Sequence, residues 1–239
     1  MRLDNPLLVQ WEYASEERLA KRNALLRALI EGENPEEEAF RAIAEAEPRR
    51  VLDVGCGTGE LAERVARELG ADVVAIDISQ RMVELTRARG IEARVADVQA
   101  LPFGDGEFDC VAACWVLYHA SDVDAAIAEC ARVLQPGGRL VAATVGDNIP
   151  EVWELIGGGV GETLSFNVRD GRERLERWFT HVEQRDVTAA MVFPGPESMR
   201  TFVAATINRA HLAPKVPDFR GEFRATVRHS VFVAEKAAG

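Results

Sequence analysis

Between residues 51 and 145 the chain repeats one pattern. Short apolar runs at 51–54, 72–76, 92–96, 109–114 and 139–145 alternate with stretches in which apolar residues return every three or four positions. The runs predict buried strands. The spaced stretches predict helices at about 59–69, from Ser79 to Gly90 and at about 122–134. Gly70 closes the first helix and Ser79 caps the second, with Met82, Val83 and Leu85 marking its apolar positions. A turn at 102–106 precedes the fourth strand, and Pro136-Gly137-Gly138 precedes the fifth. Strands that alternate with helices predict a parallel sheet covered on both faces, an α/β fold.

The flanks are less regular. Residues 1–47 read as helical: Ser15 with Glu16 and Glu17 starts one helix, Leu19, Leu26, Leu29 and Ile30 mark its apolar face, and Gly32 is its predicted stop. Asn34 and Pro35 start another, with Phe40 and Ile43 inward. This segment either pads an edge of the sheet or, through Trp11 and Tyr13, closes as a lid. Beyond Gly146 the pattern predicts short helices at 150–156 and 172–180, a helix at 197–210, a proline-containing loop at 211–222, and strands at 182–193 and 225–234. The expected organisation is a helical lid or edge at 1–47, a ligand-binding core at 48–146, and a continuation of the same domain with substrate-cover insertions at 147–239.

Composition narrows the partners. A hydrophobic fraction of 47% and a charged fraction of 28% are those of an ordinary globular chain. A net charge of -11 lowers the nucleic-acid reading, because such binders gain affinity from clustered Lys and Arg. No segment approaches the roughly 18 apolar residues of a membrane span, and the N-terminus lacks an apolar leader core, so the expectation is a cytoplasmic chain. Cys56, Cys110, Cys114 and Cys130 form no CxxC pair, and the four histidines are scattered without ligand spacing, so no metal is expected. The cysteines read as small apolar residues. Cys56 alone sits beside a helix N-terminus that would favour a thiolate, but no partner base is visible.

The chemistry centres on Val51-Leu-Asp-Val-Gly-Cys-Gly-Thr-Gly-Glu60, a strand that breaks into three alternating glycines (Gly55, Gly57, Gly59) and opens a helix. Glycine permits unusual backbone angles and lets a ligand approach the main chain. A phosphate loop would need Lys and Ser/Thr after the last glycine, where Glu60 and Leu61 stand. The dinucleotide fingerprint would place glycine at position 60, and Asp53 would repel a pyrophosphate. A cationic or zwitterionic ligand suits the turn better. Asp77, 22 residues beyond Gly55 at the next strand end, is placed to accept hydrogen bonds from a ribose diol. Asp77 and Asp97 also have a plainer reading as caps of their own loops.

These features, taken in order, resemble the class I S-adenosylmethionine-dependent methyltransferases. Residues 51–59 are similar to the family's first motif; Asp77-Ile78 resembles the ribose-holding acid, Asp97-Val98 the acid that meets the adenine amino group, 108–111 the start of motif IV, and 132–140 the junction that follows it. The resemblance implies a three-layer Rossmann-like sandwich on a seven-stranded, mostly parallel sheet with an antiparallel last strand, extra N-terminal helices and a C-terminal helical cap. It implies S-adenosylmethionine as co-substrate, held by Asp53, Gly55, Cys56, Gly57, Gly59, Asp77, Ile78, Met82, Asp97, Val98, Cys114 and Trp115. Met82 and Val98 either pack on the adenine or fill core.

The stretch Cys114-Trp115-Val116-Leu117-Tyr118-His119 is not the Asp/Asn-Pro-Pro-Tyr motif of nucleic-acid amino-methyltransferases. It resembles the Leu-x-His segment of small-molecule enzymes of the quinone-biosynthesis type. Trp115 is a candidate to pack on a sulfonium by cation–π attraction. His119 is a candidate general base, or a loop residue that orders the pocket by hydrogen bonding. Trp153, Phe166, Trp178, Phe179, Phe193, Met199 and Phe202 form either core or an apolar substrate cover, and the acceptor is expected to be an apolar or aromatic small molecule. A nicotinamide-dependent oxidoreductase and a non-catalytic S-adenosylmethionine-binding regulator stay open as alternatives.

Overall fold

A computed structural model of the chain describes Leu25 and residues 28–146, 148–159, 164–206 and 209–239. Ser15, its following acids, Trp11, Tyr13, Leu19 and Leu26 lie outside the described residues. Eight strands form one sheet in the order β1-β7-β8-β6-β5-β2-β3-β4. They are β1 (Ile30–Gly32), β2 (Arg50–Val54), β3 (Asp72–Asp77), β4 (Glu92–Val95), β5 (Phe108–Cys114), β6 (Leu134–Val145), β7 (His181–Phe193) and β8 (Phe223–Glu235). The five strands from β6 to β4 are parallel. β8 runs antiparallel to both β6 and β7.

The sheet therefore has one strand more than the expected seven. Ile30–Gly32, the predicted end of a helix, instead pairs antiparallel with Ala189–Met191 of β7. A three-residue segment carries too little periodicity to separate helix from strand, and the unpaired outer edge of β7 decides in favour of pairing. The predicted turn at Pro136-Gly137-Gly138 lies inside β6, where the register jumps from Phe108↔Leu134 to Cys110↔Arg139. It acts as a bulge rather than a boundary.

The described helices of four or more residues are α1 (Pro35–Ala44), α2 (Glu60–Leu69), α3 (Gln80–Ala88), α4 (Val123–Val133), α5 (Pro150–Leu155), α6 (Gly171–Leu175) and α7 (Pro196–Ala205), with 3-10 turns at Leu117–His119 and Ala210–Lys215. Their starts follow local chemistry. Asn34 Oδ1 accepts from Glu36 N at 2.9 Å, and Asp122 Oδ1 accepts from Ala125 N at 3.0 Å. The C-terminal helices are shorter than the pattern predicts, ending at Leu175 and Ala205.

Alternation along the strands divides the core. Leu52, Val54, Val74 and Ile76 face α4, whereas Val51, Val73 and Ala75 face α1, α2 and α3. A third cluster gathers Trp153, Phe193, Met199, Phe202 and Leu212 around the outer ends of β7 and β8. Phe166 and Phe179 belong to the α4 side. Six of the seven cover candidates are thus core, and only Trp178, 47% exposed, is not. Cys110 and Cys130 are fully buried free thiols inside the same core.

Candidate functional site

β2, β3, β4 and β5 all point their carboxyl ends at one rim of the sheet, and the glycine turn forms the centre of that rim. Gly55 N and Cys56 N both donate to Ile76 O at 2.8 and 3.0 Å, which stitches the turn to the end of β3. Gly55, Gly57 and Gly59 all have positive φ, at 69°, 53° and 79°. Each is held for a different reason. A Cβ on Gly55 would lie 2.3 Å from Val116 Cγ2, and one on Gly59 would lie 2.7 Å from Thr86 Oγ1. A Cβ on Gly57 would meet nothing within 4 Å, so this glycine opens on free space where a ligand can reach the backbone.

Two carboxylates flank that space. Asp53 is 3% exposed, and its buried Oδ2 has no hydrogen-bond partner. Burial, and then the nearby Asp77, push its pKa up to about 7. Asp77 accepts from Gly57 N through Oδ2 at 3.0 Å and from Ser79 N through Oδ1 at 2.8 Å. Burial raises its pKa while these N–H donors oppose the rise. Its loop-capping reading is thereby realised, yet a carboxylate has about four acceptor positions, which leaves room for a diol. Among the described residues, no basic side chain is among the groups that shift either acid.

Asp97 follows the same plan at the end of β4. Its Oδ1 accepts from Gln99 N at 2.9 Å, and Gln99 Oε1 accepts from Ser121 Oγ and Asp122 N, tying this loop to the start of α4. Ile78 is 52% exposed beside Asp77, and Val95 is 48% exposed at the end of β4. Val98 is buried at 8% and Met82 is fully buried, so Met82 backs the wall rather than facing the open space.

β5 ends in Cys114 and then turns over the glycines. Trp115 takes φ 57°, an uncommon value for a non-glycine residue, and Trp115 N donates to Ala143 O at 2.8 Å. The turn seats Val116 on Gly55 and leads into the 3-10 turn that carries half-buried His119, whose ring lies 4.5 Å from that of Tyr118. Burial, followed by Asp53, pushes the Cys56 and Cys114 thiols well up, so the helix N-terminus does not make Cys56 a thiolate. No described group of three or more His, Cys, Asp or Glu is arranged to hold a metal ion.

Two residues to which the sequence pattern assigns no site role belong here, Thr86 and His229, the latter one of the four scattered histidines. Thr86 of α3 donates to Gly57 O at 3.2 Å and lies 3.3 Å from Cys56 Sγ. His229 of β8 accepts through Nδ1 from Trp115 Nε1 at 3.0 Å. Both carry a signal in hindsight. Each is a polar residue at an inward position, Thr86 after Met82 and Val83 on α3, and His229 in the inward series Ala225, Val227, Val231, Val233.

Residues 52–142 match the family described as a methyltransferase domain. Methyltransferase GfsG of Streptomyces halstedii is 38% identical over 122 residues, 48% of this chain and 44% of that protein. The ubiquinone biosynthesis O-methyltransferase of Xanthomonas oryzae pv. oryzae (strain PXO99A) is 45% identical over 103 residues, 40% of this chain and 43% of its own. The chain spans about half the length of the curated relatives it matches. Among solved structures, the [4+2]-cyclase SpnF aligns with a TM-score of 0.56 at 24% identity over 84% of this chain and 81% of that one. That likeness is one of fold, and a cyclase on it shows that the site, not the fold, must argue the chemistry. The glycine turn and the strand-end acids Asp53, Asp77 and Asp97 all lie within the residues that match the methyltransferase-domain family.

Proposed function

We propose that the chain binds S-adenosylmethionine across the glycine turn and transfers its methyl group to a small-molecule acceptor held near Trp115 and His119. The carrying observation is the buried, unpartnered Oδ2 of Asp53 beneath the turn, with Asp77 beside it and, among the described residues, no basic side chain among the groups that shift either acid. Two uncompensated carboxylates favour a ligand that brings positive charge to the turn, and they disfavour a pyrophosphate. The residues present fit this ligand. Gly57 leaves the side where a Cβ would stand uncovered by any described residue, Asp77 retains acceptor positions for a diol, and Ile78 offers an exposed apolar surface for a base.

The co-substrate supplies an already activated methyl group on sulfur. The chain's part is to position, to exclude water and to handle one proton. Orientation of this kind contributes roughly 7–11 kcal/mol in favourable cases. Trp115 and Val116 form the wall between donor and acceptor. For an acceptor hydroxyl, His119 accepts the proton as the oxygen gains its methyl group. Relatives named for ubiquinone biosynthesis support an apolar or aromatic acceptor methylated on oxygen.

Calorimetry against S-adenosylmethionine, S-adenosylhomocysteine and NADH tests the donor. Binding of the first two without NADH is expected, and binding of NADH alone overturns the reading. Transfer of labelled methyl to a panel of phenols and quinols tests the acceptor. His119→Ala is expected to lower turnover by about 10²-fold or more while leaving S-adenosylhomocysteine affinity unchanged. Equal losses in both would make His119 a structural residue.

A further inference from the structure

We propose that His229 is a positioning residue for this site: it holds the Trp115 indole, and Trp115 in turn fixes the chain that crosses the glycine turn. The inference rests on the reading of that turn as the donor site. His229 and Trp115 are 114 positions apart, and β8 brings them together at the rim. His229 pairs in register with Val145 of β6 and Val187 of β7, which places it level with the carboxyl end of β6. From there its Nδ1 lies 3.0 Å from Trp115 Nε1, and the two rings meet edge to face at 6.0 Å with planes at 78°.

Indole N–H is a donor only, so Nδ1 must carry the lone pair and the neutral ring keeps its proton on Nε2. Burial depresses the His229 pKa to about 4, so the acceptor form persists at neutral pH. The same bond occupies the ring's basic lone pair. His229 is therefore not a competing general base, and that role stays with His119.

What the bond controls is the left-handed backbone of Trp115. A bulky side chain at φ 57° is strained and persists only where its surroundings over-determine it. Here the constraints are the Trp115 N–H to Ala143 O bond, the indole bond to His229, and the seat of Val116 on Gly55. Of these three, the second alone ties Trp115 by a hydrogen bond to β8, whose Val231 and Val233 belong to the apolar cluster on which Trp115 also packs. Without that bond, Trp115 is free to relax toward an extended conformation. Val116, the next residue, then leaves Gly55, and the floor beneath the donor changes shape.

The test compares His229→Leu, His229→Asn and Trp115→Phe in the full chain. The Asn side chain can place an acceptor oxygen near the position of Nδ1. With 15N-labelled protein, the Trp115 indole N–H resonance is expected to move upfield in His229→Leu and to stay near its wild-type position in His229→Asn. The Val116 methyl resonances are expected to follow the indole. By calorimetry, His229→Leu is expected to weaken S-adenosylhomocysteine binding about three- to tenfold, the size of one hydrogen bond. His229→Asn should recover most of this loss. Trp115→Phe should lose a similar factor, and its combination with His229→Leu should lose no more than either alone. An unchanged indole resonance in a folded His229→Leu protein overturns the proposal, as do multiplicative losses in the double variant. A wild-type protein that binds no S-adenosylhomocysteine overturns the donor-site reading instead, and the indole resonance still reports whether His229 holds Trp115.

Discussion

The two rims of the sheet treat acidic side chains in opposite ways. At the amino ends of the parallel strands the acids stand beside arginines. Asp109 accepts from Arg49 N and Arg50 N at 3.0 and 3.1 Å, Arg50 reaches Glu107 at 2.9 Å, and Arg139 reaches Glu235 at 2.9 Å. At the carboxyl ends, among the described residues, Asp53, Asp77 and Asp97 have no basic side chain among their hydrogen-bond partners, and Asp53 Oδ2 has no partner. Exposed ion pairs contribute little individually, at most about 1 kcal/mol each. Their arrangement is nonetheless informative. Among the described residues, one rim pairs its acids with arginines, whereas the other offers its acids no basic side chain.

The largest effect that sharpens this contrast is the pH dependence set by Asp53. Its folded pKa of about 7 lies above the ordinary carboxylate value, so the folded state holds a proton that the unfolded state has released. The stability of the ligand-free protein should therefore fall as pH rises from about 4 to about 7, by up to about 4 kcal/mol if the full shift is realised. Urea denaturation at successive pH values measures it. Asp53→Asn should flatten the curve in that window and also weaken S-adenosylmethionine binding. A wild-type curve as flat as the variant's would mean that Asp53 is compensated after all.

A matched pair of glycine substitutions compares the rims directly. Gly55 and Gly70 have nearly the same positive φ, 69° and 68°, but a Cβ on Gly55 strikes Val116 while one on Gly70 meets nothing within 4 Å. Gly70→Ala at the amino-end rim should cost about 1 kcal/mol of backbone strain and leave ligand affinity alone. Gly55→Ala adds the overpacking, for a total of about 3 kcal/mol, and should displace Val116 enough to abolish tight binding. Thermal unfolding and calorimetry on the same samples separate the two quantities. Equal behaviour of the two variants would remove the claim that Val116 rests on the turn.

What the sequence made visible was local. The glycine spacing, the strand-end position of Asp77, the helix starts at Asn34 and Ser79, and the helix start near Asp122 each depend on residues a few positions apart, and all sit where the pattern put them. What it hid depends on pairing across the sheet. Ile30–Gly32 becomes a strand only because β7 has an open edge, and His229 joins the rim only because β8 inserts between β6 and β7. Trp153, Phe193, Met199 and Phe202 pack as core because the paired ends of β7 and β8 supply an apolar surface that the short C-terminal helices cover. Met82 was ambiguous because helical spacing gives the face of a residue but not the depth of its burial.

Thr86→Val is the smallest change that still distinguishes the rims. Valine keeps the shape and removes only the hydroxyl, which donates to Gly57 O at 3.2 Å and touches Cys56 Sγ at 3.3 Å. Loss of one such bond should cost about 1 kcal/mol. Glu107→Gln at the opposite rim removes the charge that Arg50 pairs with at 2.9 Å and should cost no more than that. The two variants differ in what else they disturb. Gly57 is the one turn glycine that opens on free space, so loosening its carbonyl should also weaken S-adenosylhomocysteine binding about threefold, whereas Glu107→Gln should leave binding unchanged. If both variants lose stability and neither loses affinity, Thr86 serves packing alone, and the glycine turn holds its shape through the Ile76, Asp77 and Val116 contacts without it.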